Sequence, residues 1–480
     1  MTTVGRIAVA FVGEVKALGI KQIKLDVNEV TVGMFISGLD RPWTQTPFPL
    51  QGFYVRDLEE IRELKTHCRH VYIDVIKGNA PLKTNLKTLS SGPTTVSRKD
   101  YRVASSSKVS DIAPIKVREN VYPVPTVPIE KEIEKAKGLH REVFGALGNV
   151  LQHIEKDHNS VPLNETKRVA SEMVDSVLRS PDAFTWLSRV REKDEYTYSH
   201  AVRSAVWGIL FGRHIGLSKM DLDVLAMGIL LKDIGKTRLP KHLIEKTERS
   251  RTEQEAYEKF VDYGVEILRK MPDIKPRVTS VVKTHCERIN GAGFPEGLRG
   301  DRIPLLGKIA GIVTFYDEVT NPRGQKHPLS PSKAVARLYE LRDVEFQPDL
   351  VVEFIRAIGL YPTGTLVELN TGEVAVVVEQ NFKRRLKPRV MIVTDAYKRL
   401  LNEPVFLDMA EDDLEKQSRI DSGKVHPSEV ERIEIVQDLE PGSHDVNVAA
   451  VRDQYLMGRS GNKILSFLKN RSRIASLFGG

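Results

Sequence analysis

Apolar residues along the chain follow three successive rhythms. Up to residue 73 they come in short alternating runs: Gln22–Val27 reads as a strand, Val30–Leu39 as a glycine-containing turn followed by Met34, Phe35 and Ile36, and Gly52–Val55 and Val71–Ile73 as further strands around a helix from Leu58 to Cys68. This predicts a small α+β domain over residues 1–78. From Ile129 the period becomes helical, with Ile129, Ile133, Ala136, Leu139, Val143, Leu147 and Leu151 on one face, and helical runs continue to residue 358. Tyr361-Pro362 ends that pattern. Thr365–Glu368, Val374–Glu379 and Arg389–Val393 then read as strands separated by Asn370-Thr371-Gly372 and Lys387-Pro388, a β-rich subdomain over 359–407.

Two stretches lack such a rhythm. Residues 79–128 mix Ser, Thr, Pro, Lys and Arg and hold too little apolar surface to offset ordering entropy, which is the composition of a flexible linker. Residues 408–480 read as a charged tail until Asn462–Phe478, where Ile464, Leu465, Phe467, Leu468, Ile474, Leu477 and Phe478 interleave with Lys463, Lys469, Arg471 and Arg473. That segment is expected to form an amphipathic helix docking on a partner or an acidic membrane surface, the alternative being a frayed tail against its own protein. The expected fold is multidomain: a mainly α-helical domain between a small α+β domain and a small β-rich subdomain.

Composition changes this picture little. The chain has 480 residues, 41% hydrophobic and 28% charged, which suits several globular cores. A net charge of +8 with a pI near 9.1 suits an anionic partner, but Arg and Lys are spread along the chain and no nucleic-acid patch is expected. Cys68 and Cys286 stand far apart without metal-ribbon spacing, which points to a reducing compartment, the cytoplasm. The apolar run Ile7–Val12 is shorter than a signal h-region, and no stretch approaches the ~20 apolar residues of a membrane span.

The candidate chemistry lies in the helical region. Leu231-Lys232-Asp233-Ile234-Gly235-Lys236 ends a helical run, and His285-Cys286-Glu287-Arg288 is followed by Gly291-Ala292-Gly293-Phe294-Pro295. In register from Trp186-Leu187 and Tyr196-Thr197-Tyr198-Ser199-His200 through Asp317-Glu318-Val319-Thr320, these motifs resemble the HD-GYP family of the HD superfamily, with a motif core over 184–345. Gly33-Met34, Leu39-Asp40-Arg41-Pro42-Trp43 and Pro47–Phe53 resemble the small domain that often precedes HD-GYP domains in proteobacteria.

The resemblance implies a cyclic di-GMP phosphodiesterase fold in which metal ions activate water and clamp the phosphodiester, held by His and carboxylate ligands. On the family's pattern His200, Asp233 and His285 remain from the metal set, and Cys286 would serve a soft metal as thiolate. Lys232, Phe260 and Thr314 stand where ligands are expected. An ammonium cannot ligate a cation, a phenyl ring has no lone pair, and a neutral hydroxyl is a far weaker ligand than a carboxylate. Outside the family frame, His200 and His285 read as polar groups satisfied within a helical core, and Asp233 as a cap or ion-pair partner. Lys236, Arg288, Arg323 and Lys326 match the family's phosphate-contacting positions, with pairing to nearby carboxylates such as Glu287 as the alternative for Lys236 and Arg288. Gly293, Phe294 and Pro295 form the signature loop, with Phe for the namesake Tyr.

The resulting expectation is a degenerate signalling member of the cyclic di-GMP system, binding a cyclic dinucleotide, a partner protein such as a diguanylate cyclase (GGDEF) protein, or both, with little or no hydrolysis. Asp233 is then a vestigial catalytic residue and Lys236 its companion, with no metal or partial occupancy. The alternative is an active phosphodiesterase yielding pGpG or GMP with divalent iron, manganese or zinc; a structural regulator that binds no nucleotide is a third reading. Lys232 is expected to fill the vacated cavity, placing its donors among Asp233, Thr314 and His285. Oligomeric state is not legible.

Overall fold

The computed structural model describes residues 22–41, 53–55, 58–74, 112–118, 121–122, 126–156, 163–189, 196–271, 273–324, 328–382, 384–426, 429–440 and 442–460, in two units divided between residues 103 and 104. The 462–478 segment and Lys326 lie outside them.

In the N-terminal unit, strands β1 (Gln22–Asp26), β2 (Phe35–Leu39), β3 (Phe53–Tyr54) and β4 (His70–Asp74) make an antiparallel sheet in the order β1-β4-β2-β3, with helix α1 (Leu58–His67) after β3. Alternation puts Leu25, Ile36, Val71 and Ile73 into one core with Ile61 and Leu64 of α1. The Asp40 carboxylate accepts from the Arg69 and His70 amides at 2.7 and 3.3 Å, tying the end of β2 to the start of β4.

The second unit is built on α2 (Ile129–Glu155), α3 (Leu163–Arg179), α4 (Pro181–Arg189), α5 (Tyr196–His214) and α6 (Lys219–Leu231). Ser218 caps α6, accepting from the Asp221 amide. Every residue from Val224 to Leu231 is buried, because this part of α6 is apolar on all sides. A 3-10 turn, Ile234–Arg238, ends it, followed by α7 (Lys241–Glu245), α8 (Arg251–Glu258), α9 (Phe260–Arg269), α10 (Pro276–Thr284), α11 (Leu305–Thr320), α12 (Pro331–Glu340) and α13 (Pro348–Ile358). No helix among the described residues is long and apolar enough to cross a membrane.

Strands β5 (Leu366–Leu369), β6 (Val374–Glu379), β7 (Arg389–Thr394), β8 (Leu400–Asp408) and β9 (Ile435–Asp438) form an antiparallel sheet in the order β8-β7-β6-β5-β9. Composition ends this subdomain at 407, but the structure carries it further, through α14 (Met409–Asp421), β9 and α15 (Val448–Ser460). The reason is non-local. β9 pairs with β5, and Asp438 at its end accepts from the Ser332 amide at 2.7 Å and the Ser330 hydroxyl at 3.0 Å, capping α12. The sheet is fixed to the helices by Trp186, whose indole donates to the Val378 carbonyl at 2.9 Å, and by Thr363, whose hydroxyl donates to Asp182 at 2.5 Å.

Within the 79–128 stretch, residues 112–118 carry no helix or strand, yet they are hydrogen-bonded to the helical unit at several points.

Candidate functional site

The site is assembled where α6 runs out. Because the second half of α6 is buried on every side, the residue after Leu231 has no route to water, and Lys232 is fully buried. Its ammonium donates to the carboxylate of Asp233, itself 5% exposed. The other oxygen of Asp233 accepts from Lys236 Nζ at 2.6 Å. Burial alone would push the Asp233 carboxyl up, but Lys232 and then Lys236 hold it well below the usual carboxylate range. Burial likewise opposes the Lys236 charge, and Asp233 more than offsets it, so that ammonium is held above its usual range. Of the three groups expected around Lys232, only Asp233 receives a hydrogen bond from it; Thr314 Oγ1 is buried without a partner among the described residues.

Lys236 is placed by glycine. A Cβ at Gly235 would lie 1.9 Å from the Phe260 carbonyl oxygen, so only glycine lets the 3-10 turn press onto α9. That contact brings the Phe260 ring beneath the site. It faces Lys236 Nζ at 4.8 Å and packs edge-on against His285 at 5.9 Å and Phe294 at 6.1 Å. Where the family pattern expects an imidazole, a hydrophobic ring therefore bridges the Lys–Asp pair to the signature loop.

The histidines are neutral and committed. His285 Nδ1 donates to the Val282 carbonyl at 2.8 Å, and burial, then the Lys232 charge, push the imidazole down to about 3. Cys286 Sγ lies 3.2 Å from His285 Nε2, and burial pushes the thiol up to about 12, which makes it a donor to the ring rather than a thiolate. His200 Nδ1 donates to Asp317 at 2.7 Å; burial and the Lys232 charge hold this imidazole below its usual value.

Asp317 was not singled out from the sequence as a site residue. It is fully buried on α11 and accepts from Arg203 Nε at 2.9 Å, Arg203 Nη2 at 3.0 Å and Asn321 Nδ2 at 3.2 Å as well as from His200. Burial opposes its charge, and the Arg203 guanidinium and the His200 bond hold the carboxyl low. The signal in the sequence is spacing: Arg203 lies one helical turn after His200, on the same face of α5.

The expected phosphate contacts are placed differently from one another. Lys236 points into the centre. Arg288 turns away, donating to the Glu287 carbonyl at 2.9 Å, pairing with Glu345 at 3.4 Å and stacking over Phe346 at 4.9 Å. Arg323 Nη1 donates to the Ile244 carbonyl at 3.0 Å. The Glu287 carboxylate is used within the signature loop, accepting from the Glu296 amide at 2.8 Å and the Leu298 amide at 2.9 Å. A Cβ at Gly293 would meet the Arg288 amide nitrogen and the Cys286 carbonyl oxygen, both at 2.4 Å, so the loop closes tightly on its own base.

This donor set does not fit a two-metal centre. The position nearest Asp233 is taken by an ammonium and one ligand position by a phenyl ring, and the hydroxyl of Thr314 is a weak ligand. Among the described residues no group of three or more His, Cys, Asp or Glu side chains converges in a way that could hold a metal ion. The cavity that Asp233 lines, with Tyr198, Leu147, Val150 and Leu151 among its walls, measures about 20 Å³, room for about one water against the ~300–1,000 Å³ of small-molecule pockets.

Comparison with known proteins bears on the same region. Residues 190–350 match the HD domain model, residues 22–160 a domain of unknown function (DUF3391), and residues 366–417 a KOW domain associated with HD domains. The chain is 27% identical over 379 residues to a cyclic di-GMP phosphodiesterase of Pseudomonas aeruginosa, covering 78% of this chain and 85% of that one. It is 30% identical over 167 residues to a 3'3'-cGAMP-specific phosphodiesterase of Vibrio cholerae, covering 34% of this chain and 31% of the other. A solved HDG"Y"P protein from Bdellovibrio bacteriovorus is 15% identical, with a TM-score of 0.41 over 69% of this chain and 98% of the other.

Proposed function

We propose, from the premise that the chain belongs to the HD-GYP family, that it is a non-hydrolysing member: a regulator in cyclic dinucleotide signalling, responding to cyclic di-GMP or a related dinucleotide, to a partner protein, or to both. One observation carries this reading. The Lys232 ammonium rests on Asp233, so part of the charge a dication would supply there is provided by the chain itself. An ammonium neutralises a carboxylate but neither lowers the pKa of a bound water nor polarises a phosphoryl oxygen as a metal does. Loss of those effects removes several kcal/mol of transition-state stabilisation, at about 1.36 kcal/mol per decade of rate.

An active site rebuilt on Cys286 would have to bring its sulfur, which lies 3.2 Å from His285 Nε2, onto a metal beside the Lys232–Asp233 pair. The relatives' named activity on cyclic di-GMP and 3'3'-cGAMP supports the ligand class. Lys236 is the basic group retained at the centre; Arg288 and Arg323 would have to leave their present partners to reach a phosphate. The signature loop, with the Phe294 ring packed on Phe260, is the element through which ligand or partner would be sensed.

The test is equilibrium binding of cyclic di-GMP with turnover followed in the same sample under added manganese, iron or zinc. No turnover in any metal is expected. Metal-dependent formation of pGpG at ordinary enzyme rates, abolished by Asp233→Ala, would overturn the reading.

A further inference from the structure

Residues 112–118 have the composition of a linker and the contacts of a bound peptide. Pro114 forces the residue before it into extended backbone. Along that line Ile112, Ile115 and Val117 are partly buried, while Ala113, Pro114, Lys116 and Arg118 are exposed. Two carboxylates of the helical unit read the backbone directly. Asp301 accepts from the Ala113 amide at 2.9 Å and Asp349 from the Ile115 amide at 2.6 Å, while Gln347 Nε2 donates to the Ala113 carbonyl at 3.1 Å. Lys308 organises the receiving side, donating to Asp301 at 2.9 Å and to Gln347 Oε1 at 2.8 Å. Further along, the Arg118 amide donates to the Ile215 carbonyl at 3.1 Å and the Tyr122 hydroxyl to the Leu217 carbonyl at 2.8 Å.

What this segment covers is the outer side of the signature loop. Ile112 packs on the apolar group Ile289, Leu298 and Ile303. Ile289 and Leu298 belong to the loop's base, where the Gly300 amide donates to the Ile289 carbonyl at 3.0 Å and Glu287 grips the Leu298 amide. Phe294, four residues before Leu298 in the same loop, packs on Phe260, which in turn faces Lys236 and His285. Residues 112–118 thus lie against the apolar group that flanks the signature loop.

We propose that residues 112–118 are a strap docked in cis, and that its seating on Asp301, Asp349 and the Ile289–Leu298–Ile303 group sets how freely the signature loop moves. A strap held by two charge-assisted hydrogen bonds, the Gln347 bond and one partly buried isoleucine contact is releasable, because each such contact is modest and most of its residues are exposed. When it lifts, Leu298 and Ile303 lose the cover of Ile112, and the loop base keeps only its own bonds, those of Glu287 and the Gly300–Ile289 backbone pair. Seating or release of residues 112–118 is thereby felt at the base of the loop that carries Phe294, with no ligand required at the centre.

Hydrogen–deuterium exchange on the full chain tests this. Ile112→Asp, and separately Asp301→Ala with Asp349→Ala, are expected to raise exchange over residues 112–118 and, with it, over 289–300 by about tenfold or more, the factor equivalent to about 1.4 kcal/mol of lost restraint. Lys116→Asp on the exposed side of the strap should change neither region. Tyr122→Phe, which frees only the far end, should raise exchange near 118–122 and leave 289–300 as in the parent. Exchange over 289–300 that stays at the parent level while 112–118 is released would overturn the proposal, as would a strap that stays protected in both release variants.

Discussion

The Lys232 ammonium, sealed from solvent after a buried stretch of helix from Val224 to Leu231, donates its hydrogen bond to the carboxylate of the residue that follows it, Asp233. Two adjacent opposite charges in an apolar interior stabilise each other only as a pair, because either alone carries an unpaid desolvation cost of several kcal/mol. Lys232→Ala is therefore expected to lower stability by about 3 kcal/mol, with Lys236 limiting the loss by keeping its own bond to Asp233. Lys232→Ala with Asp233→Ala should cost clearly less than the two single changes summed. Urea denaturation of the four proteins checks this, and additive effects would refute the pairing.

Metal binding should be recoverable by restoring the donors. Lys232→His, Phe260→His and Thr314→Asp together replace an ammonium, a ring without lone pairs and an unpartnered hydroxyl by three ligand groups. The triple variant is expected to retain manganese or zinc through dialysis, measured by elemental analysis, while chelator leaves the parent's melting temperature unchanged. Two firmly bound ions per parent chain would contradict the assignment.

The signature loop should depend on Glu287 more than on any charge facing solvent. Its carboxylate, 5% exposed, takes two backbone amides that have no other acceptor within the loop. Glu287→Ala leaves both unsatisfied and is expected to cost about 2–3 kcal/mol in chemical denaturation. Glu287→Gln, which keeps one acceptor oxygen, should recover part of that.

Acid should destabilise the helical unit through His140 on α2. Its ring packs against Phe144 at 4.7 Å and Phe184 at 6.4 Å, and burial pushes its folded-state value down to about 4. An unfolded imidazole titrates near 6.5, so the stability of the neutral form is fully present above about pH 6.5 and lost as pH falls through about 4, amounting to about 3 kcal/mol at the acid end. His140→Leu should make the loss between pH 7 and 4.5 shallower in melting experiments. An unchanged slope would show that other groups dominate.

How much of this was legible in sequence follows from how local each feature is. The helical period from Ile129 and the strands around Val374 and Arg389 are set by neighbouring residues and could be read directly. The substituted ligand positions are a reading of the family register, and the burial of Lys232 goes with the buried run from Val224 to Leu231 before it. The remainder depended on contacts distant in sequence. Arg288 turns toward Glu345 and Phe346 rather than the centre, and Asp317 meets Arg203 across 114 residues. Residues 112–118 look like linker because their bonds are made by backbone amides, which every residue except proline carries.

The indole of Trp186 and the carboxylate of Asp438 join parts of the chain that composition separates. One comes from a helix of the HD region and reaches the sheet, and the other comes from the last strand and reaches back to the start of α12. Cutting the chain near residue 360 would leave a buried indole N–H without an acceptor and a helix start without its cap. Helices and sheet therefore have no seam along which one can melt while the other stays intact. Thermal unfolding of residues 104–480 should proceed as one cooperative transition, and what reads as two modules should be lost as a single foldon.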